Sequence, residues 1–224
     1  MAEKTKELTN MYPKIIEFQN KIRAIYSEQN KTVQKGQIVF VGSSHMEIFP
    51  IQKMQETLKL DKVIYNRGVR ATTTADVLNH MDTLIFDLEP NKIFINIGSN
   101  DIGFHVPEEI FIANYSEILR QIKERLPETA VYVMAYYPVN ATENFGETKE
   151  EHNSLFHTRN NGNLNAANDK VKALAEKYGY QFINLNNGLS DERGNLKKEL
   201  TFDGVHLLPS GYEIVLRNMV KYLK

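Results

Sequence analysis

A three-layer α/β/α sandwich around a five-stranded parallel sheet is the fold this sequence predicts. Three observations predict it. Short, β-rich apolar runs recur five times along the 224 residues. Segments with helical apolar spacing fill the intervals between them. The first run, Ile38 to Val41, is apolar on successive residues, the pattern of a strand buried on both faces of a parallel sheet.

In chain order, Lys4 to Glu28 reads as a helix. Leu8, Met11, Tyr12, Ile15, Phe18, Ile22 and Ile25 fall on one broad stripe. "NKTVQKGQ" breaks it. "IVFV" (38–41) is the first strand, and a helical stretch follows from Ile51 to Leu60. "KVIYN" (62–66) is the second strand. A glycine turn leads to a short helix capped by Thr74, with Val77, Leu78, Met81 and Leu84 apolar. "KIFINIG" (92–98) is the third strand. Pro107 and Glu108 open a helix to about Arg125. "AVYVMAYYP" (130–138) is the fourth strand, stopped by proline. Residues 139–162 are polar and weakly periodic, which predicts a long loop. Leu164, Ala167, Val171, Leu174 and Tyr178 mark a helix that ends at Gly179. "YQFINL" (180–185) is the fifth strand. A last helix begins near Pro209, with Ser210 and Glu213 at capping-box spacing.

Bulk properties narrow the function. The chain is 42% hydrophobic and 25% charged, with a net charge of -1. This suits one globular domain, 1–224, with residues 1–30 as a helical extension and a core from about 37 to 224. A net charge near zero, with no basic block, provides no field for nucleic acid or an anionic membrane. The absence of cysteine excludes disulfides, thiolate metal sites and a cysteine nucleophile. No window approaches the roughly 18 apolar residues of a membrane span. The charged N-terminus lacks the apolar core of a secretion signal, so the expected location is cytoplasmic.

In open parallel sheets, ligands bind beyond the carboxyl ends of the strands. Polar clusters follow four of the strands. These are Gly42, Ser43, Ser44 and His45; Asn66, Arg67 and Gly68; Gly98, Ser99, Asn100 and Asp101; and, before the last helix, Asp203 and His206. Together they hold the parts of acyl transfer. A serine hydroxyl needs an imidazole to take its proton, and the imidazole needs a carboxylate to fix its tautomer. The anionic intermediate needs fixed N–H donors, for which the amides of Ser44 and Gly68 and the side chain of Asn100 are candidates. Each cluster alone reads equally well as a turn or a cap. Their combination, in this order, carries the information.

These four clusters resemble the blocks that define the GDSL-type esterases and acylhydrolases, the SGNH hydrolase superfamily. "IVFVGSSHME" is similar to the first block, "VIYNRGVRATTTADVL" to the second, "IFINIGSNDIG" to the third and "TFDGVHLLPSGYEIV" to the last. The likeness spans about residues 37–220. It implies a flavodoxin-like SGNH hydrolase fold, Ser44 as nucleophile, Asp203 and His206 as its triad partners, and Ser44, Gly68 and Asn100 as oxyanion donors. Where the family motif has Asp before the serine, this chain has Ser43. The resemblance takes the triad acid from the Asp-x-x-His block, so the change leaves the triad intact.

The expected activity is therefore that of a serine ester hydrolase, GDSL-like, acting on short-chain acyl or acetyl esters through an acyl-enzyme. It needs no metal or organic cofactor, and its partner is a small-molecule ester. His45 and His105 each follow a strand-end block and are expected to line the cleft. A metal site built from His45, His105 and His206 lacks the ligand spacing of known motifs. Two other readings stand beside this one. The fold also suits a non-catalytic carbohydrate- or acyl-group-binding module. A mononucleotide binder would need a phosphate-cradling loop, and "GSSHME" is poor in glycine for that. The N-terminal helix is expected to pack on its own domain, with a homodimer contact as its other use.

Overall fold

The computed structural model describes residues 13–224. The start of the predicted first helix, with Leu8, Met11 and Tyr12, lies outside the described residues. Helix α1 spans Pro13–Asn30. Strand β1 (Ile38–Gly42) leads into the short helices α2 (Ser44–Glu47) and α3 (Ile51–Met54). Strand β2 (Ile64–Gly68) precedes α4 (Thr74–Asn79) and α5 (Met81–Leu84). Strand β3 (Lys92–Asn96) precedes α6 (Ser99–Gly103) and α7 (Glu108–Arg125). Strand β4 (Ala130–Met134), α8 (Lys149–Phe156), α9 (Asn161–Tyr178), β5 (Gln181–Ile183) and α10 (Pro209–Leu223) complete the order.

The sheet runs β2-β1-β3-β4-β5 with every pairing parallel. The order reverses at β1, so a crevice opens where the chain leaves β1 and β3 in opposite directions. Gly42 lies level with Gly68 on one side and with Asn96 on the other. The three strands therefore end together, and their following loops share one edge.

Alternation along the central strands builds two cores. Val39 and Val41 of β1 with Ile93 and Ile95 of β3 face α4, α7 and α9, meeting Tyr115, Ile118, Ile122 and Val171. Ile38, Phe40 and Phe94 face the other way, onto Phe49, Tyr212, Val215 and Met219 of the α2–α3 turn and α10. Each such side chain contributes roughly 1.5–3 kcal/mol when fully buried. Two-sided burial is why β1 is apolar on consecutive residues, all of them buried.

Several boundaries differ from the sequence reading, each for a local reason. Residues 51–60 form one α turn and then a 3-10 turn at Gln55–Thr57, because Gln55 Oε1 turns in to accept the Ile64 N–H at 2.9 Å. Strand β3 stops at Asn96 because the chain turns at Gly98, where φ is +119°. The cap of α4 is Thr73, which forms a reciprocal capping box with Asp76. Helix α10 starts on Pro209 with Leu208 as N-cap and no side-chain cap bond, so the Ser210–Glu213 spacing does not act as a capping box. The predicted loop 139–162 contains α8, held by a capping box of Thr148 and Glu151. That helix buries only Phe156, so it has no apolar stripe to announce it. Gly179 does cap α9 in the left-handed region, at φ +75°.

Helix α1 is fastened by polar groups as well as by its apolar stripe, of which Ile22 packs on the core and Ile25 is exposed. Gln19 donates to the Arg70 carbonyl at 2.9 Å, Tyr26 to that of Gly68 at 2.8 Å, and Asn30 to that of Thr83 at 2.8 Å. Among the described residues, no helix is long and apolar enough to cross a membrane.

Candidate active site

The site begins at the end of β1, where Gly42 lies beside Asn96 of β3. A Cβ at Gly42 would lie 2.2 Å from the Asn96 carbonyl oxygen, so only glycine lets the chain leave the sheet here. Ser43 follows, buried, as the N-cap of α2. Ser44 is the first residue of that helix, and its Oγ lies 2.9 Å from His206 Nε2. His206 Nδ1 lies 2.6 Å from Asp203 Oδ2. The other carboxylate oxygen, Oδ1, accepts the backbone N–H groups of His206 at 2.7 Å and Val205 at 2.9 Å.

Asp203 and His206 lie three apart on a bent loop, not on the helical turn that their spacing suggests. A bridge between Thr201 and Leu207 closes this loop, and Gly204 turns it at φ +80°. Burial pushes the Asp203 carboxyl up. The His206 ring and the two backbone donors outweigh that and hold it below the ordinary carboxylate range. An ionised Asp203 only accepts, so Nδ1 carries the ring proton and the Nε2 lone pair faces the Ser44 hydroxyl.

The loop after β3 places Asn100 in α6. Its Nδ2 donates to the Thr72 carbonyl at 2.8 Å, and its Oδ1 accepts from Arg159 Nη2 at 3.0 Å. With both ends of the amide held, one Nδ2 hydrogen stays free. The cleft is about 390 Å³, lined by Ser44, Asn100, Asp203 and His206, with apolar walls from Ile15, Ile48, Phe104 and Phe202. A larger hollow of about 570 Å³ along β2 holds none of the triad residues.

The model of the GDSL-like lipase/acylhydrolase family matches residues 51–214, most of the chain. This chain belongs to that family. A solved structure from Streptococcus pneumonia, named for platelet activating factor, is 31% identical and covers 94% of each chain at a TM-score of 0.82. The isoamyl acetate-hydrolyzing esterase of Saccharomyces cerevisiae is 24% identical, over 75% of this chain and 71% of its own length. The N-acylneuraminate cytidylyltransferase of Escherichia coli O18:K1:H7 is 23% identical over 94% of this chain, which spans just under half (46%) of that relative. The acetylxylan esterase Axe2 of Geobacillus stearothermophilus shares the fold, with a TM-score of 0.64 at 14% identity over 85% of this chain and 95% of its own. The chain is an ester hydrolase.

In this GDSL-like acylhydrolase the structure brings Ser44, His45, Asn100, Asp203 and His206 to one cleft. Gly68 is a correction. Its N–H donates to Asn66 Oδ1 at 2.9 Å, and Gly68 does not line the cleft. Its missing Cβ serves packing, since a Cβ there would lie 2.2 Å from the Glu47 nitrogen of α2. The residues of this loop that do line the cleft are Arg70 and Ala71, the latter in the left-handed region at φ +58°. That strained conformation, rare for a residue with a Cβ, is the signal that no sequence pattern carried. Arg70 ties the loop to α2 by donating from its backbone nitrogen to Glu47 Oε2 at 2.5 Å and from Nε to Oε1 at 2.7 Å.

His105 is the second correction. It lines a separate hollow and lies against His157, with ring centroids 6.2 Å apart. His45 does line the cleft, and its geometry defines its role. Its Nε2 lies 3.0 Å from the Val205 carbonyl and must donate to it. Its ring meets that of His206 edge-on at 5.4 Å, and its own carbonyl accepts from Tyr212 Oη at 2.7 Å. Burial, reinforced by His206, pushes it down to about 3. A neutral His45 therefore holds the nucleophile turn to the Asp203–His206 loop. Ile15, Ala71, Arg159 and Phe202 are cleft residues that sequence patterns did not reveal. Arg159 comes from the segment read as a loop, and Ile15 from the helix read as an extension of the core.

Proposed function

We propose that this acylhydrolase cleaves short acyl esters, acetyl esters foremost, through an acyl-enzyme on Ser44. The observation that carries the reading is the unbroken chain from Ser44 Oγ through the His206 ring to Asp203, at 2.9 and 2.6 Å. His206 Nε2 takes the Ser44 proton as Oγ attacks the ester carbonyl. The tetrahedral oxyanion is held by the Asn100 side chain and by backbone N–H groups of Ser44 and Ala71, which have no acceptor within the chain among the described residues. His206 then gives its proton to the departing alkoxide. Water attacks the acyl-enzyme with His206 again as base, and the acid leaves.

A cleft of about 390 Å³ suits a small acyl group better than a long chain. The names of the yeast esterase and of Axe2 point to acetyl esters. Ser44→Ala should abolish hydrolysis of p-nitrophenyl acetate and labelling by a fluorophosphonate while the melting temperature holds. The buried Ser43, changed to Ala, should keep both activities. Labelling at Ser43, or full activity in Ser44→Ala, would refute the assignment. A non-catalytic binding module would show no turnover in the parent chain.

A further inference from the structure

We propose that Arg159 is an anchor for a negatively charged oxyanion group, a carboxylate or a phosphate, on the ester substrate; this rests on the hydrolase reading above. Arg159 lines the cleft but is only 8% exposed. Its Nε donates to the Ser99 carbonyl at 3.3 Å and its Nη2 to Asn100 Oδ1 at 3.0 Å. Both acceptors are neutral. Nη1 has no acceptor within the chain among the described residues, and no carboxylate there forms an ion pair with the group. A guanidinium stays charged even when burial lowers its pKa, and a buried charge without a counter-charge is strongly unfavourable.

The other buried guanidinium supplies a contrast. Arg67 also lacks a carboxylate, yet all three of its nitrogens are used, by Asn30 Oδ1 and the Asn66 carbonyl, and its charge lies over the Tyr26 and Tyr65 rings. Arg67 is satisfied from within the fold, whereas Arg159 is not. The carboxylate in the cleft that faces Arg159 is Asp203, and both of its oxygens are engaged by His206 and Val205. Asp203 acts on the guanidinium only through space, so a directly bonded counter-charge must come with the ligand.

The seat of Arg159 is also built. A Cβ at Gly103 would meet Nη2 at 2.2 Å and Cζ at 2.6 Å, so the last residue of α6 is bare where the guanidinium rests on it. Because Nη2 holds Asn100, an anion docked on the remaining edge would sit beside the oxyanion amide. The charged group is therefore placed close to the scissile ester, not at the far end of a long substrate.

The test compares matched acetyl esters: the 2-, 3- and 4-acetoxybenzoates, 4-acetoxyphenyl phosphate, and the neutral 4-acetoxybenzamide. Loss of Arg159 also loosens Asn100, which slows every ester, so the readout is the ratio of kcat/KM for anionic over neutral substrate. In the parent chain at least one anionic ester should exceed the amide by about ten- to a hundredfold. The carboxylate and phosphate arms tell which oxyanion is preferred. Arg159→Gln should bring the ratio near one, and Gly103→Ala, which keeps the charge but displaces it, should lower it. A parent chain that prefers the amide to every anion, or a ratio that survives Arg159→Gln, would overturn the proposal. Calorimetric titration of Ser44→Ala with the same esters reads the anchor without turnover. Anion-selective binding, lost in Ser44→Ala/Arg159→Gln but without turnover in the parent, would sink the hydrolase reading and leave the anchor standing. Turnover without selectivity would do the reverse.

Discussion

Asp203→Asn is a change of one atom, and the hydrogen bonds around it dictate how that atom settles. Oδ1 accepts two backbone N–H groups, from His206 at 2.7 Å and Val205 at 2.9 Å. An asparagine must place its carbonyl oxygen there, because an NH2 would confront two donors. The NH2 then occupies the Oδ2 position, 2.6 Å from His206 Nδ1 in the parent. Facing a donor, Nδ1 must accept, and the ring proton moves to Nε2. That nitrogen can no longer take the Ser44 proton, although every side chain keeps its place. A forced wrong tautomer of this kind costs about 10⁴ in rate, or about 5 kcal/mol of transition-state stabilisation. Steady-state hydrolysis of p-nitrophenyl acetate should show kcat down by roughly 10³ to 10⁴ with KM changed little. The melting temperature should stay close to that of the parent, and the ¹⁵N shifts of the His206 ring should report the exchanged tautomer. A variant that keeps more than about a tenth of parental kcat would refute this account of the triad.

Two further predictions concern stability. Gly68→Ala should drive a Cβ into the backbone of α2, to 2.2 Å from the Glu47 nitrogen. That overpacking should cost about 2–3 kcal/mol and lower kcat as well, since α2 carries Ser44; an unchanged urea midpoint would reject it. Asp101 is buried against Thr74, and burial pushes its carboxyl from the ordinary 3.8 up to about 7 despite the Thr74 donors. The folded state then binds a proton that the unfolded state releases, so stability should fall as pH rises from about 4 to 7 and level off above. Asp101→Asn should lack this drop; parallel stability curves for parent and variant from pH 4 to 8 would refute it.

The legible part of the site was the part carried by residue type and spacing. Ser44 and Asn100 follow β1 and β3 closely, where a parallel sheet must present them, and Asp203 and His206 precede the last helix; a hydroxyl, amide, carboxylate and imidazole are chemically conspicuous there. Gly68 misled because a glycine after a strand announces only that a Cβ is forbidden. The structure shows that the forbidden space belongs to the Met46–Glu47 backbone, not to a substrate. Helix α8 was illegible for the opposite reason. It buries one side chain, so it leaves no periodicity, although Thr148 and Glu151 already held capping-box spacing.

By itself the sequence determined the layer architecture, because two-sided burial and helical spacing are short-range patterns that each segment carries alone. It also determined the chemical inventory at the strand ends. Tertiary structure decided which members of that inventory meet. Ala71 enters the cleft through a left-handed backbone turn, Arg159 through a seat left bare by Gly103, and Ile15 through polar fastenings of α1 to the loop after β2. His45 gains its place from a bond to Val205, 160 positions away. These contacts join residues far apart in the chain, and they depend on where elements dock. Local periodicity holds no record of that.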